Sequence, residues 1–339
     1  MKVGVIGTGA IGLGSVALLQ SLSHKPIFLW SASGKGTHAF KKNKQLIARG
    51  TVEGTFKPSV VKSAKELALS NDIIKIAVPA YAHKYVIDAI SPFIESRHVI
   101  VISSHASFSA LYLSKKLAER KVSPLVIAWG TTILSGKKTG TTSVNISTIR
   151  EQVDIATVPQ VRIDEGLKVC RDLFGDRFTK REGLLAIALS NLNPQNHLGI
   201  ALCNLTRIEK GEGWDQALNI TPSVGHLLEK LDRERLAIAV ALDLKVRDIF
   251  EHFSLSFHVP LGSVSEMSKS MVENGHKGTG PTTLDTRYVL EDVPYGLVPT
   301  VWLGRLTGCS AKLHEAGIIL FNALYKRDFF SENTLMPAM

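Results

Sequence analysis

The chain has 339 residues, of which 45% are hydrophobic, enough for a sizeable core and two domains and too apolar for a disordered chain. Lys and Arg outnumber Asp and Glu by 40 to 30, a net charge of +10, but the basic residues are scattered. No stripe of them interleaved with aromatics argues for nucleic acid, so the charge suits an acidic small molecule or is simply a basic surface. No apolar run reaches the roughly 18 residues of a membrane span. The N-terminus opens on a strand-like run rather than a targeting segment. The expectation is a soluble, cytoplasmic protein with no membrane or nucleic-acid partner. Cys170, Cys203 and Cys309 are too far apart for a metal pattern or a disulfide framework.

Residues 2–6 read as a buried first strand. Gly7-Thr8-Gly9-Ala10-Ile11-Gly12 follows, then a helical segment from Leu13 to Leu22. This is G-x-G-x-x-G in its strand–turn–helix context. Gly7 permits the tight turn, Gly9 lets the backbone approach a pyrophosphate, and Gly12 lets the helix pack on the strand. Amides at the helix start would face the anion. The second strand, Pro26 to Trp30, ends where NAD-binding folds usually carry an acid for the ribose 2′-hydroxyl, about 20 residues beyond the glycines. Here stand Trp30, Ser31, Ala32, Ser33, Gly34 and Lys35. Hydroxyls and a lysine suit a 2′-phosphate, and Trp30 is a candidate to stack on adenine, so NADP(H) is favoured and NAD(H) is the other option. The competing reading is an ordinary exposed turn with a plain ribose held by backbone groups.

The strand–helix alternation continues. Asp72 to Val78, His98 to Ile102 and Leu125 to Trp129 read as strands, with helices over Tyr81–Phe93 and Ser109–Arg120 between them. That pattern predicts a doubly wound parallel sheet with ligands at the strand C-ends. Val78 and Pro79, and Ser103 to His105, occupy such ends, although His105 reads better as a loop residue than as a catalyst. Ser143–Ser147 and Val153–Val158 complete the domain as strands, and Asp164–Phe174 is a late helix. We therefore expect a Rossmann-type dinucleotide-binding domain over residues 1–181.

From about Glu182 helical signals dominate, which predicts an all-α substrate-binding and catalytic domain over residues 182–339. Candidate helices cover Leu184–Glu209, broken or started near Pro194, then Ser223–Val246, Asp248–His252, Val264–Glu273, Pro299–Leu306 and Lys312–Arg327. Arg233, Glu234 and Arg235 read as a solvated face. Gly275 to Pro281, with three glycines and a proline, is a mobile loop and a candidate lid. Two stretches carry candidate chemistry. Asn193-Pro194-Gln195-Asn196-His197 sets an imidazole and carboxamides among leucines, where unpaired polar groups are costly. Asn193 and His197, four apart, share one side of a helix. The plain alternative is a capping Asn193 before Pro194 and a satisfied structural histidine. Residues 286–299 set Arg287 and Asp292 in an otherwise apolar segment, where an internal ion pair or helix cap is the plain reading.

Taken together these residues resemble the octopine/nopaline (opine) dehydrogenase family across nearly the whole chain. The glycine turn is shared with many oxidoreductases. More specific are residues 30–34, Asn193 to His197 with Gly213-Trp214, residues 221–225 and 231–235, and above all Arg287-Tyr288 with residues 291–299. The resemblance implies NAD(P)H-dependent reductive condensation of an α-keto acid, such as pyruvate, with the amino group of an amino acid. It implies that Asn193, His197, Arg287 and Asp292 occupy the family's site positions, with no metal. His197 then acts as acid/base, because histidine titrates near working pH. Asp292 orients it, Asn193 positions the substrate or the imidazole, and Arg287 takes a substrate carboxylate. The oligomeric state is open, a homodimer included. The alternative is a two-domain NAD(P)-dependent dehydrogenase of a 2-hydroxy acid or polyol phosphate, which needs a carbonyl but no amine.

Overall fold

The computed structural model describes residues 1–42, 44–276 and 278–338. They form two compact units, Met1–Ala188 joined by the last residues from Pro337, and Leu189–Met336. In the first unit twelve strands run in chain order: β1 (Val3–Ile6), β2 (Ile27–Trp30), β3 (Leu46–Gly50), β4 (Gly54–Phe56), β5 (Ser59–Val60), β6 (Ile73–Ile76), β7 (Val99–Ile102), β8 (Leu125–Trp129), β9 (Leu134–Gly140), β10 (Ser143–Ile149), β11 (Val153–Val158) and β12 (Phe178–Lys180). Eight of them make one sheet in the order β12-β11-β8-β7-β6-β1-β2-β5. β1 is flanked by β2 on one side and β6 on the other, so the strand order reverses at β1, above which ligands bind in doubly wound sheets.

The central strands are continuous apolar runs because helices cover both faces of such a sheet. Lys75 is the exception. It sits inside β6 at 1% exposure, with Nζ 4.3 Å from the centre of the Trp129 ring. Burial pulls its ammonium down to about 7.

The sheet is parallel except where β11 runs antiparallel to β8. β10 belongs to a second, four-stranded sheet of the same unit, ordered β4-β3-β10-β9. β9 and β10 are joined by two residues, and so short a link only permits antiparallel pairing. This small sheet packs on the first helix, Ala10–Ser21: a Cβ on Gly14 would lie 2.8 Å from Leu134 Cδ1. Covered on both sides, that helix is buried continuously from Gly12 to Gln20, which is why its sequence is apolar all round rather than on one stripe.

The second unit is helical, the only pairing among its described residues being an isolated bridge between Asp215 and Thr279. The helix expected over 184–209 is three pieces, Leu184–Ser190, Asn193–Cys203 and Leu205–Glu209. Asn193 is the first residue of its helix rather than the cap. The N-cap is Leu192, and Asn191 Oδ1 accepts from the Asn193 amide at 3.1 Å. The expected solvated face at 233–235 is also corrected, since only Arg233 is exposed. Asp232 and Arg235 are each 2% exposed and paired at 2.7 Å. Asp232 further accepts from Gln195 Nε2 at 2.8 Å and from the Ile249 amide at 2.9 Å, while Arg235 donates to the carbonyls of Leu189 and Arg247. Buried charges are tolerated only when their remaining bonding capacity is met, and here the partners come from three helices. Glu234 turns toward the start of helix Lys312–Tyr325, accepting from the Leu313 amide at 2.9 Å and from His314 Nδ1 at 2.8 Å. No helix among the described residues is long and apolar enough to cross a membrane.

Candidate active site

In the first unit the glycine turn is shaped to admit an anion. Gly7 has φ +121°, and a Cβ there would lie 2.2 Å from the Ala77 carbonyl oxygen, so the turn is pressed against the end of β6. A Cβ on Gly12 would lie 2.1 Å from the Gly7 carbonyl oxygen, so helix and turn touch backbone to backbone. At Gly9, by contrast, a Cβ would meet nothing within 4 Å. Gly9 caps the first helix without a side-chain bond, and the first turn holds no acidic residue. The helix-start amides are therefore left for an anionic ligand, which fits a dinucleotide pyrophosphate. Thr8, Ala10 and Ile11 are half-buried around this cradle.

At the end of β2, Ser31 Oγ and Ser33 Oγ lie 3.4 Å apart and Lys35 is exposed. Trp30, the candidate to stack on adenine, is the last residue of β2 and is 7% exposed. Val78 is half-buried and Pro79 exposed beyond β6. His83 Nε2 meets the Val78 carbonyl at 3.1 Å. His105 lies at the end of β7, 5% exposed, with neither ring nitrogen bonded among the described residues. Burial drives His83 to about 4 and His105 to about 3, so both are neutral.

In the second unit, residues far apart in sequence meet. Pro194 starts a helix that carries His197, and Gly296 lets the returning segment close on it: a Cβ on Gly296 would lie 2.4 Å from Pro194 Cγ. That segment is the π-helical turn Val293–Leu297, which begins right after Asp292. His197 Nδ1 lies 2.6 Å from Asp292 Oδ2, with the two side chains 17% and 18% exposed. Such a contact makes Nδ1 the protonated nitrogen and leaves Nε2 as the working atom. Nε2 has no partner among the described residues.

Arg287 does not pair with Asp292. Its Nε lies 2.5 Å from Glu291 Oε2, four residues on, and its side chain is 78% exposed. Asn193 is exposed at the N-terminal end of the His197 helix. The structure thus brings His197 and Asp292 together, and sets Asn193 and Arg287 as exposed polar groups on the two elements that carry them.

Sequence reasoning assigned no part to Tyr288. Its ring stacks on the His197 ring, with centroids 3.5 Å apart and planes 10° apart. The signal was available in the spacing, since Tyr288 precedes Asp292 by one helical turn and both reach the same imidazole. Its hydroxyl donates to Gln216 Oε1. Burial, then the charge of Asp292, pushes the phenol up to about 12. Among the described residues, no group of three or more His, Cys, Asp and Glu is placed to hold a metal ion.

Comparison with known proteins bears on both halves. Residues 180–325 match the family described as NAD/NADP octopine/nopaline dehydrogenase, alpha-helical domain, and residues 3–160 match ketopantoate reductase PanE/ApbA. An opine dehydrogenase of Arthrobacter sp. (strain 1C) is 30% identical over 342 residues, covering 99% of this chain and 94% of that relative. The structure of octopine dehydrogenase with NADH and L-arginine is similar at a TM-score of 0.81 and 15% identity, covering 96% of this chain and 90% of that one. Yersinopine dehydrogenase with NADP+ bound is similar at a TM-score of 0.75 and 14% identity, covering 98% and 93%. With its Rossmann-type and all-helical halves both matched and a relative at this identity along nearly its whole length, the chain belongs to the opine dehydrogenase family of NAD(P)-dependent oxidoreductases acting on CH–NH donors.

Proposed function

We propose that His197, oriented by Asp292, is the acid/base of a reductive condensation joining an α-keto acid to the amino group of an amino acid. The amine adds to the keto carbon, water leaves, and the resulting imine is reduced to a secondary amine. His197 Nε2 passes one proton from the attacking nitrogen to the carbonyl oxygen. Reprotonated from solvent, it then gives that oxygen a second, so that the oxygen leaves as water. The nitrogen keeps its remaining proton, so the species that takes the hydride is the protonated imine. Asp292 keeps Nδ1 protonated, so that Nε2 alone exchanges protons with substrate. Arg287 binds a substrate carboxylate, for which a guanidinium fork is suited, and Asn193 hydrogen-bonds the substrate. A bound nicotinamide cofactor supplies the hydride. The observation that carries this reading is the 2.6 Å contact between His197 and Asp292 beside an unpartnered Nε2.

The test is a matrix of keto acids against amino acids, followed by cofactor absorbance, with each substrate omitted in turn. Oxidation of cofactor only when both are present is expected. Equal turnover without the amine would overturn the reading in favour of a 2-hydroxy-acid or polyol-phosphate dehydrogenase.

For the cofactor itself, Ser31, Ser33 and Lys35, with no acid in the turn from 30 to 37, support NADP(H) over NAD(H). Affinities measured for both would decide, and a strong NADH preference would sink the choice. Residues 1–181 are proposed as the cofactor half and 182–339 as the substrate half, which the helical-domain match from residue 180 supports. A cytoplasmic setting is supported by three unpaired cysteines. Exposed Trp302, Leu306, Ile319, Leu320 and Leu324 on two adjacent helices support a homodimer, which sedimentation velocity would test.

A further inference from the structure

We infer that Tyr288 is the positioning residue of His197: its ring fixes the plane of the imidazole, and its hydroxyl fastens that plane to the Trp214–Gln216 segment. The inference rests on the acid/base reading of His197 and deepens it.

The argument begins with what Asp292 leaves undone. One contact, Nδ1 to Oδ2 at 2.6 Å, anchors a single edge of the ring. The imidazole is still free to swing about that contact, and the swing moves Nε2, on the opposite edge, most. A reacting group must be held within roughly 0.5 Å and 10–20° of its productive geometry. A flat surface parallel to the ring removes this freedom, and Tyr288 supplies one, 3.5 Å from centroid to centroid and 10° from parallel.

The tyrosine is itself held. Thr286 caps its short helix, accepting from the Tyr288 amide at 3.3 Å. The phenol donates to Gln216 Oε1, and with burial pushing it to about 12 it stays protonated through the neutral range. Gln216 is not loose either. Its amide donates to the Gly278 carbonyl at 2.7 Å, beside the Asp215–Thr279 bridge. Trp214 Nε1 donates to the Pro281 carbonyl at 2.9 Å, and the Gly280 amide returns a bond to the Trp214 carbonyl at 3.0 Å. A Cβ on Gly280 would lie 2.3 Å from the indole, so the strand of chain lies flat on that ring.

The glycine-rich stretch expected to act as a lid, 275–281, is therefore clasped to residues 214–216 on its described side. Lys277 within it lies outside the described residues. A continuous series of contacts runs from this stretch through Gln216 and Tyr288 to the imidazole. The ring of Tyr288 does the orienting; the hydroxyl fixes where the ring stands.

The experiment compares Tyr288→Leu, Tyr288→Phe and Gln216→Ala in the full-length protein, with thermal midpoints to confirm folding. Loss of the stacked face in Tyr288→Leu is expected to cut kcat roughly 10- to 100-fold, as a misplaced reacting group does. KM for the keto acid and the Kd of the cofactor should change little. Tyr288→Phe keeps the face and should lose less, about fivefold, and Gln216→Ala should behave like it, since removing one hydrogen bond costs on the order of 1 kcal/mol. The downfield proton resonance of the His197 Nδ1–H should persist in Tyr288→Phe and broaden away in Tyr288→Leu. Normal kcat and a retained resonance in a folded Tyr288→Leu would overturn the inference. So would a Tyr288→Phe variant as impaired as Tyr288→Leu, since the hydroxyl rather than the face would then matter. His197→Ala separates the two layers: if it keeps full turnover, the acid/base reading fails; if it is dead while Tyr288→Leu is normal, only the positioning role fails.

Discussion

Replacing His197 with Ala removes both the donor at Nε2 and the ring that Asp292 holds, and turnover should fall by roughly 100-fold or more, the range general acid–base groups contribute. Cofactor affinity, followed by fluorescence titration, should stay near normal, and unchanged turnover would take His197 out of the mechanism. Arg287→Ala should act differently. Its side chain is exposed, so losing it should raise KM for the carboxylate substrates by about tenfold, one charge-assisted bond's worth, with a smaller effect on kcat. A drop in kcat alone would contradict a carboxylate-binding role. At this scale the pair was legible through the resemblance to the family rather than from the residues alone: a histidine and an aspartate 95 positions apart were named from the family's pattern, and they meet. The partner of Arg287 was not legible, because Glu291 and Asp292 are adjacent carboxylates and only the turn at 291–293 decides which of them faces the guanidinium. The cap was misplaced by one residue: the helix starts at Asn193 after Leu192, and the side chain that accepts the Asn193 amide is Asn191.

Among the elements, the apolar strands of the first unit were readable because they are buried on both faces and bounded by turn residues. β9 was not, since its sequence after Leu134 is Ser, Gly, Lys, Lys, Thr and Gly and one of its faces is wet. β3, β4, β5 and β12 have at most five residues, too few for a period to show. The burial that made β6 legible also gives it a titration signature. Lys75 takes up its proton near pH 7 when folded but near 10.5 when unfolded. Between those values the unfolded chain binds more protons, so stability rises with pH from about 7 and falls away as pH drops back toward 7. His83 and His105 add the same sign lower down: folded, they stay neutral to about 4 and about 3, whereas an unfolded histidine is protonated below about 6.5. Urea midpoints should therefore climb from pH 4 through pH 9. Above pH 9 the opposite sign enters, because burial pushes Cys170 up to about 12 and the unfolded chain loses that proton first. Lys75→Met should flatten the climb between pH 7 and 9 while raising stability at pH 7. A midpoint as steep in the variant as in the parent would show that Lys75 is not buried in this way.

At the scale of the whole molecule, composition and alternation were enough to predict a dinucleotide-binding half followed by a helical half, and both are matched by known families. Which surfaces of the helical half are buried was not readable. Residues 231–235 carry four charges in a row after Leu231, and charge alone argues for solvent, yet Asp232 and Arg235 lie in the interior because three helices bring them compensating partners. No local pattern announces partners supplied by helices elsewhere in the chain. Asp232→Ala should destabilise the protein by about 3–5 kcal/mol, since it strands the Arg235 charge in the interior. Chemical denaturation would show this as a lowered midpoint, and a change below about 1 kcal/mol would mean that water reaches Arg235.

That buried carboxylate has a bearing on how mutational surveys of this enzyme are to be read. One of its bonds goes to Gln195, two residues before the proposed proton-transfer group. Damage at Asp232 will therefore mimic the loss of a reacting residue in any screen that scores product alone. A dead variant at 232 and a dead variant at 197 become distinguishable only when each is weighed by how much folded enzyme it leaves in the tube.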